Sequence, residues 1–140
     1  MKREKILIFI PSFNVEKKIG KVLKKIPRII LKKYNTKILI IEDNSKDKTL
    51  NVIKKIMRNK KKNFKINLII NKKNKGYGGV QKIAFNYAIK KNFKYIVMLH
   101  GDNQYPADKL LSLIKPLVTN KFDAVFGSRM INSLDALRGG

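Results

Sequence analysis

Cysteine is absent from the 140 residues, which excludes a disulfide framework and a thiolate metal site alike. A reducing cytoplasm is the compartment this fits. Long apolar runs are missing too: Ile6–Ile10 and Ile38–Ile41 end within one strand's length, far short of the ~18 residues a membrane span needs. The start, Met1-Lys2-Arg3-Glu4, is charged, but the apolar stretch behind it breaks at Pro11 without a small-residue cleavage pattern, so no signal peptide is expected. No repeat, low-complexity tail or long linker interrupts the chain; Lys60–Asn63 reads as a basic turn. Acidic residues are scarce, 9 against 33 Lys and Arg, for a formal net charge of +24. Such a surface attracts polyanions, nucleic acid and anionic lipid among them. Yet Lys far outnumbers Arg, and Lys17, Lys18, Lys21, Lys24 and Lys25 fall on the polar face of a periodic segment instead of interleaving with aromatics. A solvated face is the simpler expectation, and no nucleic-acid partner is expected.

What is present suffices for one core, with 44% apolar residues and 9% aromatics. Five short apolar runs, Ile6–Ile10, Lys37–Ile41, Ile66–Ile70, Tyr95–Leu99 and Ala124–Phe126, alternate with four helical patterns. The patterns are carried by Ile19, Val22, Leu23 and Ile26; by Leu50, Ile53, Ile56 and Met57; by Val80, Ile83, Ala84, Tyr87 and Ala88; and by Leu110, Ile114, Leu117 and Val118. The alternation predicts an α/β fold with a mainly parallel sheet flanked by helices, in which the apolar runs are interior strands. Asn14, Asp47 and Pro106 serve as start signals for the first, second and fourth helices.

Ligands of such sheets bind beyond the carboxyl ends of the strands, where the strand order reverses. The segments after the runs are polar enough to specify one. Glu42-Asp43-Asn44-Ser45-Lys46-Asp47 offers carboxylates to a base or a ribose, although Asp47 reads better as a cap, and Asp43 is as well explained by bracing the turn. In His100-Gly101-Asp102-Asn103-Gln104, residues two apart in an extended segment would point the same way, so His100, Asp102 and Gln104 could converge on one ion. A locally hydrogen-bonded polar turn explains the same residues, with Gly101 allowing close backbone approach. Gly76-Tyr77-Gly78-Gly79 opens the third helix with backbone N–H groups suited to a phosphate, and Lys82 could add charge; a tight corner is the simpler reading. The Gly-Lys-Ser/Thr ending of a P-loop is absent. Asn14 and Glu16 fit a helix start, and Arg129, after the fifth run, suits a diphosphate or a surface ion pair.

In their order along the chain these segments resemble family 2 glycosyltransferases, especially the polyprenyl-phosphate (dolichyl-phosphate) sugar transferase branch. The Pro-x-Tyr/Phe-Asn turn of that family is matched by Pro11, Phe13 and Asn14, and its Asp-Asp-x-Ser-x-Asp-x-Thr segment by Glu42, Asp43, Ser45, Asp47 and Thr49. Its Asp-x-Asp motif, with x-Gln and then Pro behind it, aligns with His100, Asp102, Gln104 and Pro106. The resemblance implies a Rossmann-like GT-A nucleotide-sugar-binding domain over residues 1–140, ending before the acceptor side. It implies inverting transfer of a hexosyl group from a nucleoside-diphosphate sugar to a lipid-phosphate or saccharide acceptor in cell-envelope glycan synthesis. By the same resemblance the nucleotide-sugar-binding residues are Pro11, Phe13, Glu16, Asp43, Gly76, Lys82, Asp102 and Arg129. Asp102 is also the catalytic candidate, and Asp102, Gln104 and His100 are the candidate ligands of a Mn²⁺ or Mg²⁺ ion. His100 replaces a hard oxygen ligand by imidazole, which favours Mn²⁺ over Mg²⁺. A cytoplasmic protein at the inner face of the membrane, with peripheral contact to it, fits a lipid acceptor. Two rival classes are a non-catalytic or truncated nucleotide-sugar-binding domain, and a basic nucleic-acid-binding module supported by charge alone.

Overall fold

The apolar residues of the first two strands divide by parity, and that division sets the layers. In β1 (Lys5–Ser12) and β2 (Asn35–Glu42), Ile6, Ile8, Ile10, Ile38 and Ile40 enter one core, while Leu7, Phe9, Leu39 and Ile41 enter the other. Successive side chains of a strand point to opposite faces, so unbroken apolar runs mean that both faces are covered. Each such side chain contributes roughly 1.5–3 kcal/mol by leaving water. The computed structural model describes residues 3–59 and 65–128. Its sheet is parallel throughout, in the order β3-β2-β1-β4, with β3 at Ile66–Ile70 and β4 at Tyr95–Met98.

One face carries α1 (Ile19–Lys25), α2 (Arg28–Lys33), α3 (Thr49–Arg58) and α5 (Leu110–Val118), which bury Val22, Leu23, Ile30, Ile53 and Ile114 among others. The opposite face carries α4 (Gly76–Lys90), packed through Val80, Ala84 and Ala88. From β1 the chain steps outward through β2 to β3, then crosses back to place β4 on the other side of β1. That reversal opens a crevice between the carboxyl ends of β1 and β4.

Several sequence expectations need correction. Ala124–Phe126 forms no strand; Phe126 is 89% exposed, because three residues without a paired neighbour cannot satisfy a ladder. Among the described residues only β1 and β2 are interior strands; β3 and β4 are edges and are half-buried. The first helical pattern gives α1 and stops at Ile26, where the Pro27 ring disfavours helix in the residue before it; α2 beyond Pro27 was not expected. Asn14 is no helix cap: it has φ 51° and α1 begins five residues later. Lys60–Asn63 and Arg129 lie outside the described residues.

Candidate functional site

Three loops leave the rim at β1, β2 and β4, and each turns on an asparagine in the left-handed region: Asn14 (φ 51°), Asn44 (φ 62°) and Asn103 (φ 61°). Asparagine visits that region more readily than other side-chain-bearing residues. The three asparagines were the available sequence signal for sharp turns at these positions.

The loops after β1 and β2 are clamped together. Asn14 N–H donates to Ser45 Oγ (3.0 Å) and Lys46 N–H donates to Asn14 Oδ1 (2.9 Å). Glu16 N–H donates to Asp47 Oδ2 (3.1 Å), and Lys48 N–H returns to Glu16 Oε2 (2.8 Å). Val15 N–H closes the set on Thr49 Oγ1 at 2.7 Å. Asp47 also accepts the N–H of Thr49, one of the unpaired donors at the start of α3, at 2.9 Å. Partial burial raises the Asp47 carboxyl pKa, but bonds from the Thr49 hydroxyl and the Thr49 and Glu16 N–H groups outweigh it and leave the pKa below the ordinary value. Asp47 therefore caps and clamps, and Glu16 is engaged by the clamp instead of the cleft.

Asp43 is buried, and its carboxylate serves as a hub. Oδ1 accepts Asn71 Nδ2 (2.7 Å) and Lys75 N–H (2.9 Å), and Oδ2 accepts Gly76 N–H (2.9 Å). Asn74 Nδ2 adds a bond to the Asp43 carbonyl at 3.2 Å. The first N–H groups of the glycine-rich turn are thus satisfied by Asp43, where a phosphate site would have left them open. Gly76 itself has φ +67°, a conformation that explains glycine at the start of α4.

The loop after β4 is built differently. A Cβ on Gly101 would lie 3.0 Å from the Pro11 carbonyl and 3.1 Å from Ser12 Oγ, so glycine lets this loop close on β1. Gly101 and Asp102 form a turn and Asn103 bends it further, so the segment is not extended and His100, Asp102 and Gln104 do not share a strand face. Asp102 Oδ1 accepts Gln104 N–H at 3.0 Å, the local bond of a polar turn, which leaves its second oxygen available. The His100 ring stacks on Tyr77 from α4, with centroids 5.6 Å apart at 20°, and lies 4.9 Å from Tyr105 at 36°. Offset aromatic contacts of this kind are worth about 0.5–1.5 kcal/mol and orient the imidazole.

A cleft of ≈ 340 Å³ lies between these loops, lined by Pro11, Phe13, Asp43, Gly76, His100 and Asp102 together with Ser12, Asn74, Tyr77 and others. Six of the expected site residues are therefore brought together. Glu16, Lys82 and Gln104 do not line the cleft, and Arg129 lies outside the described residues. Tyr77, Ser12 and Asn74 were not foreseen; the tyrosine within the glycine run was the one visible hint. A larger cavity of ≈ 900 Å³, lined by Arg3, Lys5, Asn35, Lys65 and Lys94, sits at the opposite ends of the strands. Open α/β sheets bind ligands at the carboxyl ends, so the smaller cleft is the candidate. Among the described residues no three His, Asp or Glu side chains converge into a self-sufficient metal cage. His100 and Asp102 are two donors, a set that fits an ion whose remaining positions come from a ligand or water.

The model of a family described as glycosyl transferase family 2 matches residues 7–138. An uncharacterized protein of Methanocaldococcus jannaschii is 34% identical over 125 residues, covering 89% of this chain and 52% of that protein. A UDP-N-acetylglucosamine–dolichyl-phosphate N-acetylglucosaminyltransferase of Methanococcus voltae is 28% identical over 137 residues, covering 91% of this chain and 53% of that protein. The chain spans about half the length of these curated relatives. Among solved structures, a mannosyltransferase of Pyrobaculum calidifontis in complex with GDP-Man and Mn²⁺ superposes with a TM-score of 0.61 at 16% identity, covering 80% of this chain and 31% of that one. That likeness shows the GT-A fold.

Proposed function

The chain belongs to glycosyl transferase family 2, and from that premise we propose that it is the donor-binding part of a glycosyltransferase that takes a nucleoside-diphosphate sugar and serves a lipid-phosphate or saccharide acceptor in cell-envelope glycan synthesis. The observation that carries the reading is the gathering of Pro11, Phe13, Asp43, Gly76, His100 and Asp102 around one cleft at the strand-order reversal. Dolichyl phosphate is named for one similar protein, and GDP-Man with Mn²⁺ for another; the second pair supports reading this cleft as a donor site.

Each residue in the cleft has a task its position allows. Pro11 and the 45%-exposed Phe13 offer apolar surface to the base. Asp43 fixes the start of α4 through the N–H groups of Lys75 and Gly76, and so holds rigid the edge of the cleft that a nucleotide would meet. Asp102 and His100 would hold the divalent ion, Mn²⁺ suiting the imidazole better than Mg²⁺, with Gln104 nearby in sequence. When bound, that ion supplies charge neutralisation for the diphosphate. Transfer with inversion breaks the bond between the anomeric carbon and the diphosphate oxygen, which leaves with the electron pair, as an acceptor oxygen attacks from the opposite side. An ionised lipid phosphate brings no proton to lose, and a saccharide hydroxyl passes its proton to a general base. Preorganised positive charge at the leaving diphosphate is the main catalytic demand, and Arg129 is the guanidinium that the family resemblance offers for it. Peripheral contact with the inner face of the membrane follows if the acceptor is a lipid.

Calorimetric titration with UDP- and GDP-sugars, with and without Mn²⁺, tests the reading. Saturable binding of one nucleotide class, strengthened by Mn²⁺, is expected; indifference to both classes, with tight salt-sensitive binding to RNA or DNA, would transfer the chain to the nucleic-acid-binding class.

A further inference from the structure

Between Lys17 and Lys33 the sequence places eight lysines and arginines, and no acidic residue occurs from there until Glu42. Sequence periodicity alone makes these cations an ordinary polar helix face. The structure adds three facts. First, α1 and α2 bury Ile19, Val22, Leu23 and Ile30, and all eight cations, on these helices or just before them, are exposed. Second, the ion pair found among the described residues is Lys94–Glu4, which involves none of them, so the face is not neutralised from within. Soluble helices ordinarily intersperse both signs. Third, Ile29 stands 53% exposed beside Arg28, an aliphatic side chain in a basic surround.

The position of this face gives it meaning. Lys25 Nζ donates to Asn103 Oδ1 at 3.2 Å, which ties the end of α1 to the loop that carries Asp102. The basic face therefore borders the mouth of the cleft. We propose that the α1–α2 face docks on an anionic membrane surface and presents the cleft to acceptors embedded there. The lipid-acceptor part of this statement rests on the glycosyltransferase reading; the docking itself does not. Lysine-rich charge around an exposed aliphatic residue suits lipid headgroups and the region just beneath them. Nucleic acid is less well matched, because the face holds one arginine and no exposed aromatic for a base to stack on.

The test is co-sedimentation of the chain with phosphatidylcholine vesicles, plain or doped with phosphatidylglycerol, at several salt concentrations. Binding to the doped vesicles only, weakening as salt rises, is expected. Replacing Lys24, Arg28, Lys32 and Lys33 by glutamate should lower the partition coefficient at least ~100-fold, since each cation near an anionic surface contributes about a factor of five. A matched quartet, Lys72, Lys73, Lys90 and Lys91 to glutamate, has the same net charge and should stay within about threefold of wild type. Glutamine at the first four positions, with thermal midpoints for all variants, guards against misfolding as the cause. Equal losses in both quartets, equal binding to undoped vesicles, or retention by RNA in place of acidic vesicles would overturn the proposal. Sugar-nucleotide titration of the first quartet in free solution should match wild type. A chain that binds acidic vesicles but no sugar nucleotide would sink the glycosyltransferase reading and leave the docking face standing.

Discussion

The loops after β1 and β2 and the loop after β4 are equally polar in sequence, yet they differ in how much hydrogen-bonding capacity the fold consumes. In the first pair, Asn14, Glu16, Ser45, Asp47 and Thr49 satisfy one another or nearby backbone, and Asp43 is engaged by Asn71, Lys75 and Gly76. In the loop after β4, Asp102 makes one local bond and His100 is held by ring stacking. A polar signature at a strand tip can therefore be scaffold in one loop and ligand site in the next. Residue type does not separate them; remaining valence does.

The comparison breaks most visibly at Asp43. Asp43→Ala leaves the buried Asn71 amide and the Lys75 N–H without their acceptor, while Gly76 N–H keeps Asn74 Oδ1, and should cost about 2–4 kcal/mol of unfolding free energy by urea denaturation. Loss of less than about 1 kcal/mol would show that the hub is dispensable.

Asp47→Ala removes an acceptor shared by Thr49 and Glu16 N–H groups and should cost about 1 kcal/mol, near the usual value for a lost cap. Because the folded pKa of Asp47 lies below its unfolded one, its contribution is complete above the ordinary carboxylate range and is lost as pH falls through the folded value. Wild type and Asp47→Ala should therefore converge in stability on acidification; a gap that stays constant into strong acid would argue against the clamp.

His100→Asp should lower stability by about 1 kcal/mol through the lost stacking on Tyr77 and Tyr105, while shifting the ion preference in donor binding from Mn²⁺ toward Mg²⁺, as a harder ligand would. An unchanged preference, measured by competition between the two ions, would confine His100 to its stacking role.

Much of the fold was legible because β1 and β2 are apolar on consecutive residues and α4 repeats its small and apolar residues at helical spacing. The rim, with the cleft-lining Asp43, His100 and Asp102, followed from strand ends, while Pro11 and Phe13 entered through the family resemblance. The clamp was not legible, because its bonds join residues some 31–34 positions apart, and nothing in Asn14 or Ser45 names its partner. The stack of His100 on Tyr77 was hidden for the same reason. Ala124–Phe126 misled because apolarity without a pairing partner does not make a strand. The six-residue α2 after Pro27 was missed, because it buries only Ile30 and so carries no repeating apolar pattern.

The most direct measurement compares wild type with Asp102→Ala by thermal unfolding and by calorimetric titration with a sugar nucleotide in Mn²⁺. If the open loop is the ligand site, melting temperatures should agree within about 2 °C while Mn²⁺-dependent donor binding disappears in the variant. Undiminished donor binding by Asp102→Ala, or a collapse of its stability, would contradict the division between scaffold and site.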